Sequence, residues 1–130
     1  MSQRHSSSIS WFTIIGALAA LTHYLTAVGI EHTNLLSAGQ ANITGFIVAF
    51  PVSYFGHRQF SFTDQTLSHR KSFPRFFSVA ILGFIANQTL VLNALHYIQA
   101  PFWLILGMVM VLVAVSTYLL SKYWAFKGNQ

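Results

Sequence analysis

The sequence has no cysteine, only three prolines and only two acidic residues among its 130. Without cysteine there are no disulfides, no thiolate metal sites and no cysteine nucleophile. Charge of either sign is scarce: nine formal charges amount to 7% of the chain, where a soluble domain averages roughly 25%. Set against 54% hydrophobic and 15% aromatic residues, a water-soluble fold of this size could not cover its own surface. The solvent must therefore accept apolar surface. About 20 residues cross a hydrocarbon core as a helix, which leaves room for about four or five spans and none for a separate catalytic domain.

Enzyme chemistry is also missing its parts. The chain lacks a phosphate-binding glycine loop with lysine, an HExxH pair and a GxSxG elbow. Glu31 and Asp64 fall on opposite membrane faces of the topology below, so they cannot act together as acid and base. The expectation is a protein that is not an enzyme, needs no cofactor or metal, and binds no nucleic acid. An ATP-driven pump would need a partner to supply the motor.

Four apolar stretches are present, at about 11–30, 37–57, 76–96 and 101–121, taking up nearly two thirds of the chain. Residues 1–130 then read as one membrane domain, an all-α polytopic protein of four transmembrane helices. The polar leader with Arg4 and His5 before an Ala-rich run could be mistaken for a secretory signal, but three further spans argue against that. Pro74 stands before the third span and Pro101 opens the fourth; a residue without an N–H fits the first helical turn, so both predict helix starts. Links 31–36 and 97–100 are short, whereas 58–75 is longer and basic. All seven Lys and Arg residues (Arg4, Arg58, Arg70, Lys71, Arg75, Lys122, Lys127) fall on one side, which the positive-inside rule makes cytoplasmic, with both termini there.

An ungapped register of 64 residues sets Phe12 on Phe76, His23 on Asn87, His32 on His96, Tyr54 on Tyr118, Arg58 on Lys122, Phe60 on Trp124 and Phe62 on Phe126. Identities in it are few; what coincides is the position of the spans and of their aromatic–basic endings. Two spans per half predict two parallel-related helical hairpins about an axis along the membrane normal.

Polar side chains inside a bilayer are expensive unless they face other helices or a wet cavity. His23 and Asn87 lie near the midplane, and Gln88 adjoins the second. Two readings stand side by side: a cluster that holds a hydroxylated or anionic group in transit, or interhelical hydrogen bonding. In the second span Ser37, Ala41, Gly45, Ala49 and Ser53 draw a line of small side chains, the pattern of close helix packing; Gln40 and Thr44 border it as a polar lining or as bystanders. Pro51 removes the hydrogen bond to the Ile47 carbonyl and predicts a kink near the cytoplasmic end.

The most specific feature is a pair of span endings, Tyr54-Phe55-Gly56-His57-Arg58-Gln59-Phe60-Ser61-Phe62 and Tyr118-Leu119-Leu120-Ser121-Lys122-Tyr123-Trp124-Ala125-Phe126. Each joins a tyrosine, a base four residues on, and two aromatics at alternate positions. Aromatic belts with positive-inside anchors look like this. So does a site for a lipid phosphate, where a guanidinium or ammonium pairs with the anion and aromatic faces contact sugar or isoprenoid.

With Phe12-Thr13-Ile14-Ile15-Gly16 opening the first helix, these endings resemble the GtrA-like family over about residues 12–126. One departure is His57 and Ser121 where that family commonly has asparagine before the base. The resemblance implies translocation of a polyprenyl-phosphate-linked monosaccharide across the cytoplasmic inner membrane for cell-surface polysaccharide synthesis. The substrate-binding candidates are Arg58, Lys122, His23, Asn87, Gln88, Tyr54 and Tyr118, and the head group would leave near Glu31, His32 and His96. Expected partners are the sugar lipid, a membrane glycosyltransferase and, because four spans make a thin bundle, further copies of the chain. The alternative is an anchor or stabilising subunit of that glycosyltransferase. A small multidrug exporter ranks lower, since that class centres on a glutamate in the first helix, whereas position 23 is histidine and Glu31 lies at its outer end.

Overall fold

The computed structural model describes residues 2–61 and 69–120; within helices, the side chains of residues 2–9, 61, 69, 71, 72, 117, 118 and 120 lie outside that description. The described residues form four α-helices and no strand: α1 (Ser2–His32), α2 (Ala38–Gly56), α3 (His69–Tyr97) and α4 (Phe102–Leu120). A π-helical segment, His57–Ser61, extends α2 directly.

Local sequence accounts for most helix ends. Ser37 and Gln40 make a capping box at the start of α2: the Gln40 amide donates to Ser37 Oγ at 3.2 Å and the Ser37 amide donates to Gln40 Oε1 at 3.1 Å. Gln40 is thus a capping residue and not a lining one. Thr44 likewise turns back on its own helix, donating to the Gln40 carbonyl at 3.0 Å. Asn34, at φ 60°, carries the chain out of α1 in the left-handed region that asparagine tolerates. Pro101 precedes α4 and its carbonyl accepts from Leu104 and Ile105, both at 3.1 Å, as expected of a helix start. Pro74 differs: α3 begins at His69, so Pro74 lies inside the helix. So near the start, the ring forfeits one bond, to the Arg70 carbonyl, and the first turn forms ahead of it. Pro51 also lies inside its helix, which runs on to Gly56.

The line of small residues in α2 faces α1. Ala41 is fully buried, Gly45 and Ala49 are buried, and a Cβ added at Gly45 would lie 2.7 Å from the His23 carbonyl oxygen and 3.1 Å from Ala27 Cβ. Further along, a Cβ at Gly56 would meet Ile15 at 2.7 Å, and Trp11 stacks on Phe60 with centroids 4.8 Å apart. The contacts run in opposite order along the two helices, so α1 and α2 are antiparallel. α3 packs against α4 and α2, and α1 also meets α4.

Three strata follow along the helices. At the Glu31 end, Ala27, Val91, Phe102, Ile105, Leu106 and Val109 form the apolar core, where the Tyr24 hydroxyl also donates to the Trp103 carbonyl at 2.9 Å. At the Arg58 end the packing is aromatic: Phe50 meets Phe73 and Phe77 edge-on at 5.7 and 5.5 Å, and His57 stacks on Phe12 at 4.7 Å. Between them lies the polar stratum described below. The 64-residue register reappears in burial, since Ala27 and Val91, Ala41 and Ile105, Asn42 and Leu106, and His23 and Asn87 are buried in both halves.

Large apolar side chains remain outside, Val79 at 71%, Leu82 at 68% and Leu25 at 59% exposure among them. Ser10–His32 and Phe73–Tyr97 are long and apolar enough to cross a membrane, and α4 adds a shorter apolar stretch, Phe102–Ser116. This outer surface suits lipid.

Gly45→Leu tests the α1–α2 contact, because the side chain would run into the His23 backbone, which cannot rotate away. The substitution should destabilise the bundle by about 1–3 kcal/mol, measured by unfolding in mixed micelles. Gly29→Leu, where a Cβ meets nothing within 4 Å, should leave the transition in place.

Candidate functional site

Four polar side chains from three helices meet between the apolar and aromatic strata. His23 comes from α1, Asn42 from α2, and Asn87 and Gln88 from α3. Asn42 stands at the centre, with no exposed surface. Its Oδ1 lies 2.7 Å from His23 Nε2, and its Nδ2 donates to Asn87 Oδ1 at 2.8 Å and to Gln88 Oε1 at 2.7 Å. Gln88 Nε2 then donates to the Gly39 carbonyl at 3.2 Å, returning the network to α2.

A backbone carbonyl can only accept, and this fixes the polarity of the whole network. The Gln88 amide must turn its nitrogen to Gly39 and hence its oxygen to Asn42. Asn42 must then present its nitrogen to Gln88 and Asn87, which uses both of its hydrogens, and its oxygen to His23. His23 must donate from Nε2, so a neutral ring carries its proton there and leaves Nδ1 as a bare acceptor. Asn87, whose oxygen is engaged, is left with its Nδ2 hydrogens. Neither His23 Nδ1 nor Asn87 Nδ2 has a partner among the described residues.

These two atoms are not sealed in, since no buried side-chain nitrogen or oxygen among the described residues lacks a partner. Their residues, His23 and Asn87, both buried, line a groove of about 210 Å³ together with exposed Gly83 and Ala114 and with Phe46, Phe84, Met110 and Val113. Phe46 and Phe84 stack at 4.5 Å.

Of the seven residues singled out from the sequence, the structure brings His23, Asn87 and Gln88 together. Tyr54 is elsewhere, 4% exposed in the aromatic stratum with Phe55 and Phe73 edge-on at 5.1 and 5.2 Å. Arg58 is half-buried on the π-helical segment, beyond His57. From Asn42 to Tyr54 is twelve positions, about 18 Å along a helix, so the basic end and the polar cluster are separate places. Lys122 and the aromatic residues after it, with Phe62 and Asp64, lie outside the described residues, as does the Tyr118 side chain. At the opposite end Glu31 and His32 approach to 3.6 Å, and His96 packs edge-on against Tyr97 at 4.7 Å. Asn42 was not anticipated. The available signal was that it is the only amide in the second span beyond the first turn.

Apolar helices with lipid-facing surfaces around a buried polar cluster define an integral membrane domain. The family comparison is specific: residues 11–126 match GtrA/DPMS, transmembrane domain, and the chain belongs to this family. No curated protein and no solved structure gives a match. The family suggests a part in handling polyprenyl-phosphate-linked sugars.

Asn42→Leu removes all three bonds of the central amide while conserving size. At about 0.6 kcal/mol for each intramembrane bond, it should destabilise the protein by roughly 2 kcal/mol in a mixed-micelle unfolding titration. Thr44→Val, which removes only a bond within α2, should lie within about 0.5 kcal/mol of the parent.

Proposed function

We propose that the chain moves the head group of a polyprenyl-phosphate-linked monosaccharide across the cytoplasmic inner membrane, for synthesis or modification of a cell-surface polysaccharide. The observation that carries this reading is the polar cluster with unused hydrogen-bonding atoms, open to a groove at mid-depth in a domain of this family. The topology it assumes is four spans as two parallel-related hairpins, with both termini and the basic loop cytoplasmic. On this reading no covalent bond is made or broken, and the isoprenoid stays in lipid throughout.

The phosphate sets the physical problem, because removing it from water costs several kcal/mol unless charged or hydrogen-bonding partners meet it. On this reading Arg58 receives it at the cytoplasmic end, with the aromatic stratum behind, and Lys122 is the corresponding base of the second half. The axis of one bundle is closed: Val91, Leu106 and Asn42 have no exposed surface. The sugar therefore travels along the groove at the side of the bundle, past His23 and Asn87, with the phosphate on the lipid-open side of that groove, and the head group leaves near Glu31, His32 and His96. A second copy or a membrane glycosyltransferase would cover the open side.

The internally bonded state of Asn42 and Gln88 also favours the second reading, a rigid anchor or stabilising subunit for such a glycosyltransferase. Purified protein in liposomes with labelled polyprenyl-phosphate sugar separates the two. Acceleration of crossing is the expected result, and no acceleration by the protein alone would leave the anchor. Arg58→Ala and Lys122→Ala should lower the rate several-fold at equal amounts of folded, inserted protein. Loss of activity only in proportion to loss of folded protein would make them anchors.

A further inference from the structure

We infer that the groove between α3 and α4 is a binding site for the neutral hydroxyls of a sugar ring, with His23 Nδ1 accepting and Asn87 Nδ2 donating. This rests on the transport reading for its biological setting, but the recognition follows from the network itself. The Gly39 carbonyl fixes the Gln88 amide, which fixes Asn42, which fixes both His23 and Asn87. One acceptor and one donor remain, on two residues that line the same groove. A hydroxyl is both a donor and an acceptor, and so matches this pair.

The charge around the groove selects against a phosphate. Among the described residues no lysine, arginine or acid lines it, and a phosphate there would meet only an amide and an imidazole in a low-dielectric setting. An alkyl chain would suit the apolar lining but would leave both polar atoms without partners. A ring with hydroxyls on one edge and an apolar face satisfies both together, with the stacked Phe46 and Phe84 beside it. The site therefore holds the sugar and leaves the phosphate outside the groove.

Gly83 sets the size of what fits. It lies one turn before Asn87 on α3, among the residues lining the groove, and a Cβ built there meets no atom within 4 Å. A larger side chain would enter the groove without touching the network. Gly83→Leu thus removes space for a ligand while keeping the hydrogen bonds that hold the helices.

The test is binding to the full chain in lipid nanodiscs, with polyprenyl-phosphate glucose, polyprenyl-phosphate mannose and sugar-free polyprenyl phosphate as probes. At least one sugar lipid should bind about tenfold more tightly than the sugar-free lipid. Gly83→Leu should abolish that preference, with unchanged affinity for the sugar-free lipid and an unchanged unfolding transition. Imidazole nitrogen NMR should show His23 protonated on Nε2, with the Nδ1 resonance moving only when the preferred sugar lipid is added. Equal binding of all three lipids, a preference that survives Gly83→Leu, or a proton on Nδ1 in the free protein would each overturn the inference. Preferential binding without accelerated crossing in liposomes would remove the transport reading and leave this site standing.

Discussion

The bond from Gln88 to the Gly39 carbonyl is the constraint on which the polar stratum depends. In water, helices find one another by burying apolar surface, but in lipid that drive is absent and association rests on close packing and hydrogen bonds. Here both are used at the same level. Gly45 lets α2 approach the His23 backbone, and that approach brings Asn42 within 2.7 Å of His23 Nε2. A shift of one residue along α2 would turn Asn42 by about 100° away from its three partners. The small-residue line sets the distance between helices, and the amides set their rotation.

The strata divide the chemistry that a charged, glycosylated lipid would meet. Among the described residues the arginines lie toward the Arg58 end, aromatic rings occupy the next level, and amide and imidazole groups occupy the level after that. The fourth helix joins this plan through apolar contacts and the Tyr24–Trp103 bond, and it contributes no polar side chain to the cluster. Its Met110, Val113 and Ala114 complete the groove. α4 thus closes one side of a site whose hydrogen bonds belong to the other three helices.

Much of this was legible in the sequence, for identifiable reasons. Apolar runs show whatever their packing, so each of the four expected stretches falls on a helix. α1 and α3 begin several residues earlier than expected, and among the described residues only two helices are long and apolar enough to cross a membrane by themselves. The 64-residue register placed His23 opposite Asn87 at one depth, and the structure puts both in one network. Asn42 escaped because the register pairs it with Leu106, an apolar residue, and because its neighbour Ala41 drew the helix face toward small residues. Both partners of that pair are fully buried, so the repeat preserved burial and not polarity. Pro74 misled because its tolerance inside a helix depends on how many residues precede it, which composition does not reveal. Gln40 was open to two readings, lining or bystander, and the capping box takes its side chain.

A network that locks helices and a site that binds a passing ligand are usually in tension, because a ligand must break bonds to make its own. Here they are compatible for a specific reason. Asn42 uses both amide hydrogens and its oxygen internally, so a ligand gains nothing by disturbing it, whereas the two unused atoms lie at the edge of the network. Binding there would add bonds without exchanging any. The interior of a single bundle offers no such access, since Val91, Leu106 and Asn42 are all fully buried. Rigidity of the core and access at its edge follow from one arrangement of amides, which fastens three helices and leaves two hydrogen-bonding atoms over at the margin of the network.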